Sequence, residues 1–178
     1  QINFRRSRTF SSGTSFTGDG TIAFGDGAVA STFTFAAAHT FGASGPTIAL
    51  NSASTIASAS ALNMAGPFAW NGGTITGAGA PNTTGTTTPN ASDGTLSAKS
   101  WNNTGTVNFV SRTVNLNDGS IFTNLGGATP GVVNLNTGGF GSNGAGTNAV
   151  INQGVFNKNA ATGNLNIDPN LSSFTNSG

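Results

Sequence analysis

The stretch Phe68-Ala69-Trp70-Asn71-Gly72-Gly73-Thr74-Ile75-Thr76-Gly77 decides how this chain is read. A related stretch, Trp101-Asn102-Asn103-Thr104-Gly105-Thr106-Val107-Asn108-Phe109, follows it, with its Trp 31 positions after Trp70. In each, an aromatic residue precedes an Asn/Gly turn, and a run alternating apolar and polar side chains follows. Gly and Asn tolerate the left-handed backbone of a tight turn, and β-branched Thr, Ile and Val suit a pleated surface. The unit reads as a turn plus a short strand, and it recurs.

The alternation extends in both directions. Thr21–Phe24 lies between Gly-Asp-Gly turns, Ser31–Phe35 has Phe on alternate positions, and Thr47–Leu50 follows Gly45-Pro46. Period two with large apolar residues on one side is the mark of a half-buried strand. Residues 53–64 are Ala-rich enough for a short capped helix, but interleaved Ser and Thr favour further strands. Residues 77–94, with Pro81, Pro89 and Thr86-Thr87-Thr88, read as a loop-like tract. Beyond it come Thr106–Phe109, Thr113–Asn117, Ser120–Phe122, Val132–Asn136 and Asn164–Ile167, each with Asn, Ser or Thr among apolar residues. Asn117-Asp118-Gly119, Asn124-Leu125-Gly126-Gly127 and Asn152-Gln153-Gly154 are the turns between them, and 137–147 reads as a Gly-rich loop or insertion.

Short strands with frequent turns suit a sandwich, a barrel or a solenoid. Three features favour the solenoid. Self-similarity is imperfect but present, with Gly73 to Gly94 spanning 21 positions and Gly94 to Gly119 spanning 25. Two-residue hairpin signals are not systematically placed. Inward positions are aliphatic or Phe while outward ones are Thr, Ser, Asn and Ala, so neighbouring coils would share one continuous core. The expectation is one all-β domain over residues 1–178, with coils over 20–178, irregular loops between them, and 1–19 as a possible terminal arm.

Composition narrows the function. Of 178 residues only 6% are charged, Gly supplies 27, and there is no Glu, Tyr or Cys. Thirteen Phe at regular apolar spacing argue for a packed core rather than a disordered Gly/Ser/Thr/Asn linker. The formal charge of +1 gives no reason to expect nucleic acid as a partner, and weak self-repulsion favours self-association. The lack of Cys excludes a disulfide scaffold, and no apolar run is long enough for a membrane span. A chain beginning at Gln1 reads as processed or partial, and removal of a signal would mean export.

Taken together, Phe68–Gly77, Trp101–Val107, Ile121-Phe122-Thr123-Asn124 and Val155-Phe156-Asn157-Lys158 resemble the passenger repeats of bacterial autotransporter and filamentous-haemagglutinin-like adhesins. The resemblance covers about residues 68–178. It implies a right-handed parallel β-helix (β-solenoid), export to the bacterial cell surface, a rod shape, and adhesive or scaffold work. It brings no catalytic residues with it.

Few residues are candidates for chemistry. His39, the single histidine, stands in Ala36-Ala37-Ala38-His39-Thr40 without a nearby carboxylate and reads as structural. Asp19, Asp26, Asp93, Asp118 and Asp168 lie mostly beside Gly or Pro, where side-chain-to-backbone bonds shape turns. Two Gly-Asp-Gly units at Asp19 and Asp26 faintly suggest calcium, but lack the nine-residue period of such repeats. Asp93 and Asp118 are the least unfavourable carboxylate pair for a polysaccharide-cleaving β-helix enzyme. Thr32/Thr34, Thr74/Thr76 and Thr86–Thr88 resemble the arrays of ice-binding solenoids, but read as interrupted and as ordinary outward strand residues. Arg5, Arg6 and Arg8 read as a solvated segment or a contact for an acidic neighbour or anionic polysaccharide. Trp70 and Trp101 read as packing or corner residues. Asn82, Asn90, Asn102 and Asn170 begin glycosylation sequons.

The expected function is a non-enzymatic extracellular structural or adhesive β-solenoid without metal or cofactor. Its expected partner is itself, by end-to-end stacking into a filament, or the adjoining coils of a longer surface rod; a surface glycan is a further candidate. The alternatives are a polysaccharide-active β-helix enzyme and a glycan- or ice-binding module.

Overall fold

The computed structural model describes residues 1–159 and 167–178. Every strand pair in it is parallel, and the strands form three sheets of eight, seven and seven strands. The chain visits the sheets in rotation. In one coil, Phe68–Asn71 lies in the first sheet, Gly73–Thr76 in the second and Pro81–Thr83 in the third. The next coil repeats this with Thr86–Pro89, Gly94–Ser97 and Ser100–Asn103. The result is a β-solenoid of about seven turns with no helix among the described residues.

Register follows from the alternation. In the second sheet Phe33 pairs with Ile56, Ile56 with Ile75, Ile75 with Leu96 and Leu96 with Leu116. All five side chains are buried. A one-residue slip of any of these strands would turn its apolar set to solvent, so the core fixes the register. At the N-terminal end each stack is closed by rings from residues 1–19. Phe4 stacks on Phe24 at 5.8 Å, Phe10 on Phe35 at 4.9 Å and Phe16 on Phe41 at 5.6 Å between centroids. Strands Ile2–Phe4 and Arg8–Phe10 carry the first two of these rings into the first and second sheets.

Several sequence expectations change. Gly73 and Gly94 are register partners, as the 21-residue spacing suggested, but Gly94 pairs with Val114 and not Gly119. The two Trp stretches are not equivalent: Trp70 lies in the first sheet opposite Pro89, and Trp101 in the third opposite Phe122. Both are buried and meet edge-to-face at 5.7 Å inside the coil, so the 31-residue echo is a core contact rather than a repeat length. The tract 77–94 is mostly sheet. Its prolines sit at the first position of Pro81–Thr83 and the last of Thr86–Pro89, where a missing N–H does not interrupt a strand interior. Within 137–147, Gly139–Gly141 is a strand that buries Phe140 against the core, and only the remainder is loop. Residues 53–64 are strands, Ser54–Ser58 and Leu62–Met64. In the strand expected at 164–167, residues 164–166 lie outside the described residues, and Ile167 bridges to Phe140.

Asn124 and Asn152, read as turn residues, are instead the buried last residues of their strands. They belong to an interior ladder. The Asn103 amide donates to Asn124 Oδ1 at 2.8 Å, that of Asn124 to Asn152 Oδ1 at 2.7 Å, and that of Asn152 to Asn176 Oδ1 at 2.6 Å. The same amides also donate to the carbonyls of Gly105, Gly131 and Gly154, tying the corner that leads into the first sheet. Those glycines stack as tightly as their neighbours allow. A Cβ on Gly105 would collide with the carbonyl oxygen of Gly85, and one on Gly154 with that of Gly131.

Candidate functional site

Four of the five aspartates bond at the corners between strands, Asp26 and Asp168 to nearby backbone, Asp93 and Asp118 to the adjoining coil. Asp26 Oδ1 accepts from the Val29 and Ala28 N–H groups at 3.0 Å each, which holds its carboxyl below the usual carboxylate range. Asp168 is held low in the same way by the N–H groups of Asn170 and Ser142. Asp93 accepts from Thr113 N–H at 2.9 Å, and Asp118 from the Ser97 hydroxyl at 2.6 Å. Asp93 meets the start of strand Thr113–Asn117, and Asp118 follows its end. At about 3.3 Å per residue, a five-residue strand separates the two by more than the spacing glycosidase carboxylates use. The structure therefore does not bring the candidate pair together. Among the described residues no three His, Cys, Asp or Glu side chains gather where a metal could sit.

His39 points inward from strand His39–Phe41 and is 7% exposed. Phe16, Phe35 and Phe41 surround its ring with centroids 5.3, 5.0 and 4.6 Å away, and its Nε2 has no hydrogen-bond partner. Burial pushes its pKa down. It is a core residue, as its apolar sequence surroundings suggested.

Lys99 is a residue the sequence analysis does not single out, since no apolar alternation in Ser97-Ala98-Lys99-Ser100 marks it as interior. Ala98 turns the chain in the left-handed region (φ 54°), and Lys99 then runs under the preceding coils at 3% exposure. Its ammonium donates to Ser58 O at 3.3 Å, Ser58 Oγ at 3.0 Å and the Gly79 carbonyl. Desolvation lowers its pKa to about 8. It staples three successive coils and faces no carboxylate.

What remains outward is laid out in rows, and the rows differ between sheets. On the third sheet Asn63 donates to Thr40, Asn82 to Asn63 and Asn102 to Asn82, at 3.3, 2.9 and 3.0 Å. Two of the sequon asparagines are thus engaged in this row. On the first sheet Asn134 donates to Asn108 and Asn157 to Asn134, at 2.8 and 3.0 Å. These rows satisfy themselves. On the second sheet Thr32, Thr55, Thr74 and Thr95 stand in register, continued by Asn115. Two residues along each strand, Thr34, Ala57, Thr76, Ser97 and Asn117 form a parallel rank. Threonines that look interrupted in sequence are therefore contiguous in space, and Thr55 and Thr95 are the members sequence reading missed. Thr86–Thr88 belongs to the first sheet, with Thr87 turned inward. The hydroxyls of Thr32, Thr34, Thr55, Thr74, Thr76 and Thr95 make no hydrogen bond to protein. Arg5 and Arg6 lie exposed on the corner before Arg8–Phe10.

The architecture defines the class: a parallel β-solenoid with polar ladders outside and an aromatic-aliphatic core. No family model, characterised protein or solved structure matches the chain. The fold implied by the resemblance to adhesin passenger repeats is the fold observed.

Proposed function

We propose that the protein is a non-catalytic segment of an extracellular or bacterial cell-surface rod, structural or adhesive, that works by presenting regular side-chain rows and by stacking coil on coil. The carrying observation is the uninterrupted parallel register of all three sheets, in which each coil is the template for the next. A stack of this kind adds coils at its axial ends. The outermost coil supports this reading: Ser173–Asn176 is exposed throughout, Phe174, which continues the buried row of Phe122 and Val150, is 39% exposed, and Asn176 ends the interior ladder. A further coil, of the same polypeptide or of another copy, would cover these groups and extend the strand hydrogen bonds. The resemblance to adhesin passengers supports the surface location and a surface glycan as a second partner. The use of four of the acids at corners favours this reading over the polysaccharide-cleaving alternative.

Negative-stain electron microscopy and light scattering on the purified chain, with its mass verified, test the stacking. Concentration-dependent rods whose width matches one solenoid are expected. Monodisperse monomers at all concentrations would remove end-to-end assembly of this chain from the proposal.

A further inference from the structure

The second sheet presents a two-dimensional grid. Along the solenoid axis, threonines on adjacent strands are about 4.8 Å apart, and along each strand the two ranks are about 6.6 Å apart. β-branched Thr is confined to few χ1 rotamers, so hydroxyl and methyl groups repeat in orientation as well as position. The grid stands on buried Ile56, Ile75 and Leu96, whose packing holds the strands rigid. The two ranks contain only Thr, Ala, Ser and Asn, so no charge and no aromatic ring interrupts them.

Unbonded threonine hydroxyls also stand outward on the first sheet at Thr21, Thr47, Thr86 and Thr106, but Pro67 breaks that row, and only on the second sheet do threonines run unbroken across four coils. Asn rows elsewhere spend their hydrogen bonds on each other, whereas the threonine hydroxyls must bond to whatever lies outside. Water held by such a grid takes up its repeat, and the methyl groups between hydroxyls order it further. Charged side chains would impose their own hydration and break that order; the one carboxylate that bonds a member of the ranks, Asp118 on Ser97, lies at their far edge and not at Thr55 or Thr74. Hydroxyls repeating at these two spacings can each hold an ordered water, and a flat, regular layer of such waters is complementary to the surface of ice. We propose that the outer face of the second sheet, centred on Thr55 and Thr74, is an ice-binding surface. This goes beyond the rod reading and does not depend on stacking, because a single chain carries the whole grid.

Slow growth of an ice hemisphere from a dilute solution of the chain tests the assignment, with a bystander protein of similar size frozen alongside. The wild-type chain is expected to be enriched in the ice and to facet single crystals, while the bystander is rejected. Thr74→Arg or, separately, Thr55→Tyr should lower uptake to the bystander level. Thr106→Arg, on the first sheet, should leave uptake unchanged, with circular dichroism confirming retained β structure in each variant. Rejection of the wild-type chain from ice overturns the proposal. So does equal uptake by the two grid variants, or equal loss in the first-sheet control. Retention on cellulose or chitin that Thr74→Arg abolishes, without ice uptake, would assign the face to polysaccharide and also overturn it.

Discussion

Lys99 and His39 are the two titratable side chains that the core encloses, and both make stability depend on pH. Lys99 is pushed from 10.5 to about 8, so the unfolded chain holds its proton more tightly than the folded one. Between those values stability rises with pH, by on the order of 3 kcal/mol, and below pH 8 the penalty is constant. The chain has no Tyr or Cys to titrate in the same range. Chemical denaturation at pH 7.5 and pH 10 should show a more stable protein at pH 10, and Lys99→Met should abolish the difference; a flat profile in the wild-type chain contradicts the enclosure of Lys99. His39 acts at the other end of the scale. Its folded pKa lies below the ordinary 6.5, so its contribution is intact above that value and is lost as pH falls through it. Melting temperatures in buffers from pH 7 to pH 5 should fall for the wild-type chain and less steeply for His39→Leu, which fills the space among Phe16, Phe35 and Phe41 without a ring to protonate. Equal slopes would mean His39 reaches water. Only the histidine could be read in advance, because its neighbours in sequence are apolar. The lysine's burial depends on coils that begin some 20 and 41 positions earlier.

At the scale of one corner, Asn and Gly divide the work of closing each coil. Asn124 accepts from Asn103 and donates to Asn152, Gly131 and Val155, so its removal leaves several buried partners unsatisfied. Asn124→Ala should cost about 3 kcal/mol in urea titrations, whereas Asn63→Ala, in the partly exposed outer row, should cost less than about 1 kcal/mol. Similar costs for both would mean the interior ladder does not hold the corner. Gly105→Ala should be destabilising by about 2 kcal/mol or more, since its Cβ meets the Gly85 carbonyl rather than a movable side chain. A neutral effect would show that the coils can separate there. The sequence carries this corner as a recurring pattern, Thr83-Thr84-Gly85, Asn103-Thr104-Gly105, Asn152-Gln153-Gly154 and Asn176-Ser177-Gly178, which a longer loop interrupts between Asn124 and its glycine, Gly131. It was readable as turns, because Asn and Gly favour turns wherever they occur. That the Asn side chain points inward needed the neighbouring coil, since only there does its amide find a carbonyl. Strand alternation, by contrast, was legible directly, because burial of every second residue is a local pattern.

For the whole molecule, coil length is the quantity that sequence spacing conveyed least well. Hydrogen-bonded partners in the Asn rows and ladder are separated by 19, 20, 21, 24 and 28 residues. Register is set by stacked core residues, and corners absorb the difference by bulging, so no fixed period exists to be found. The pair of Trp stretches misled for the same reason: two aromatic residues that meet in the core need not occupy equivalent positions. The threonine face was invisible in part because its members come from four coils of unequal length. The account rests on parallel stacking with this register, and nuclear Overhauser contacts in the 17.6 kDa chain test it most directly. Contacts are predicted from the backbone of Thr74 to those of Thr55 and Thr95, and from Ile75 to Ile56 and Leu96. Contacts that instead join sequence-adjacent strands as antiparallel hairpins, or that pair Trp70 with Trp101 as register partners, would contradict it.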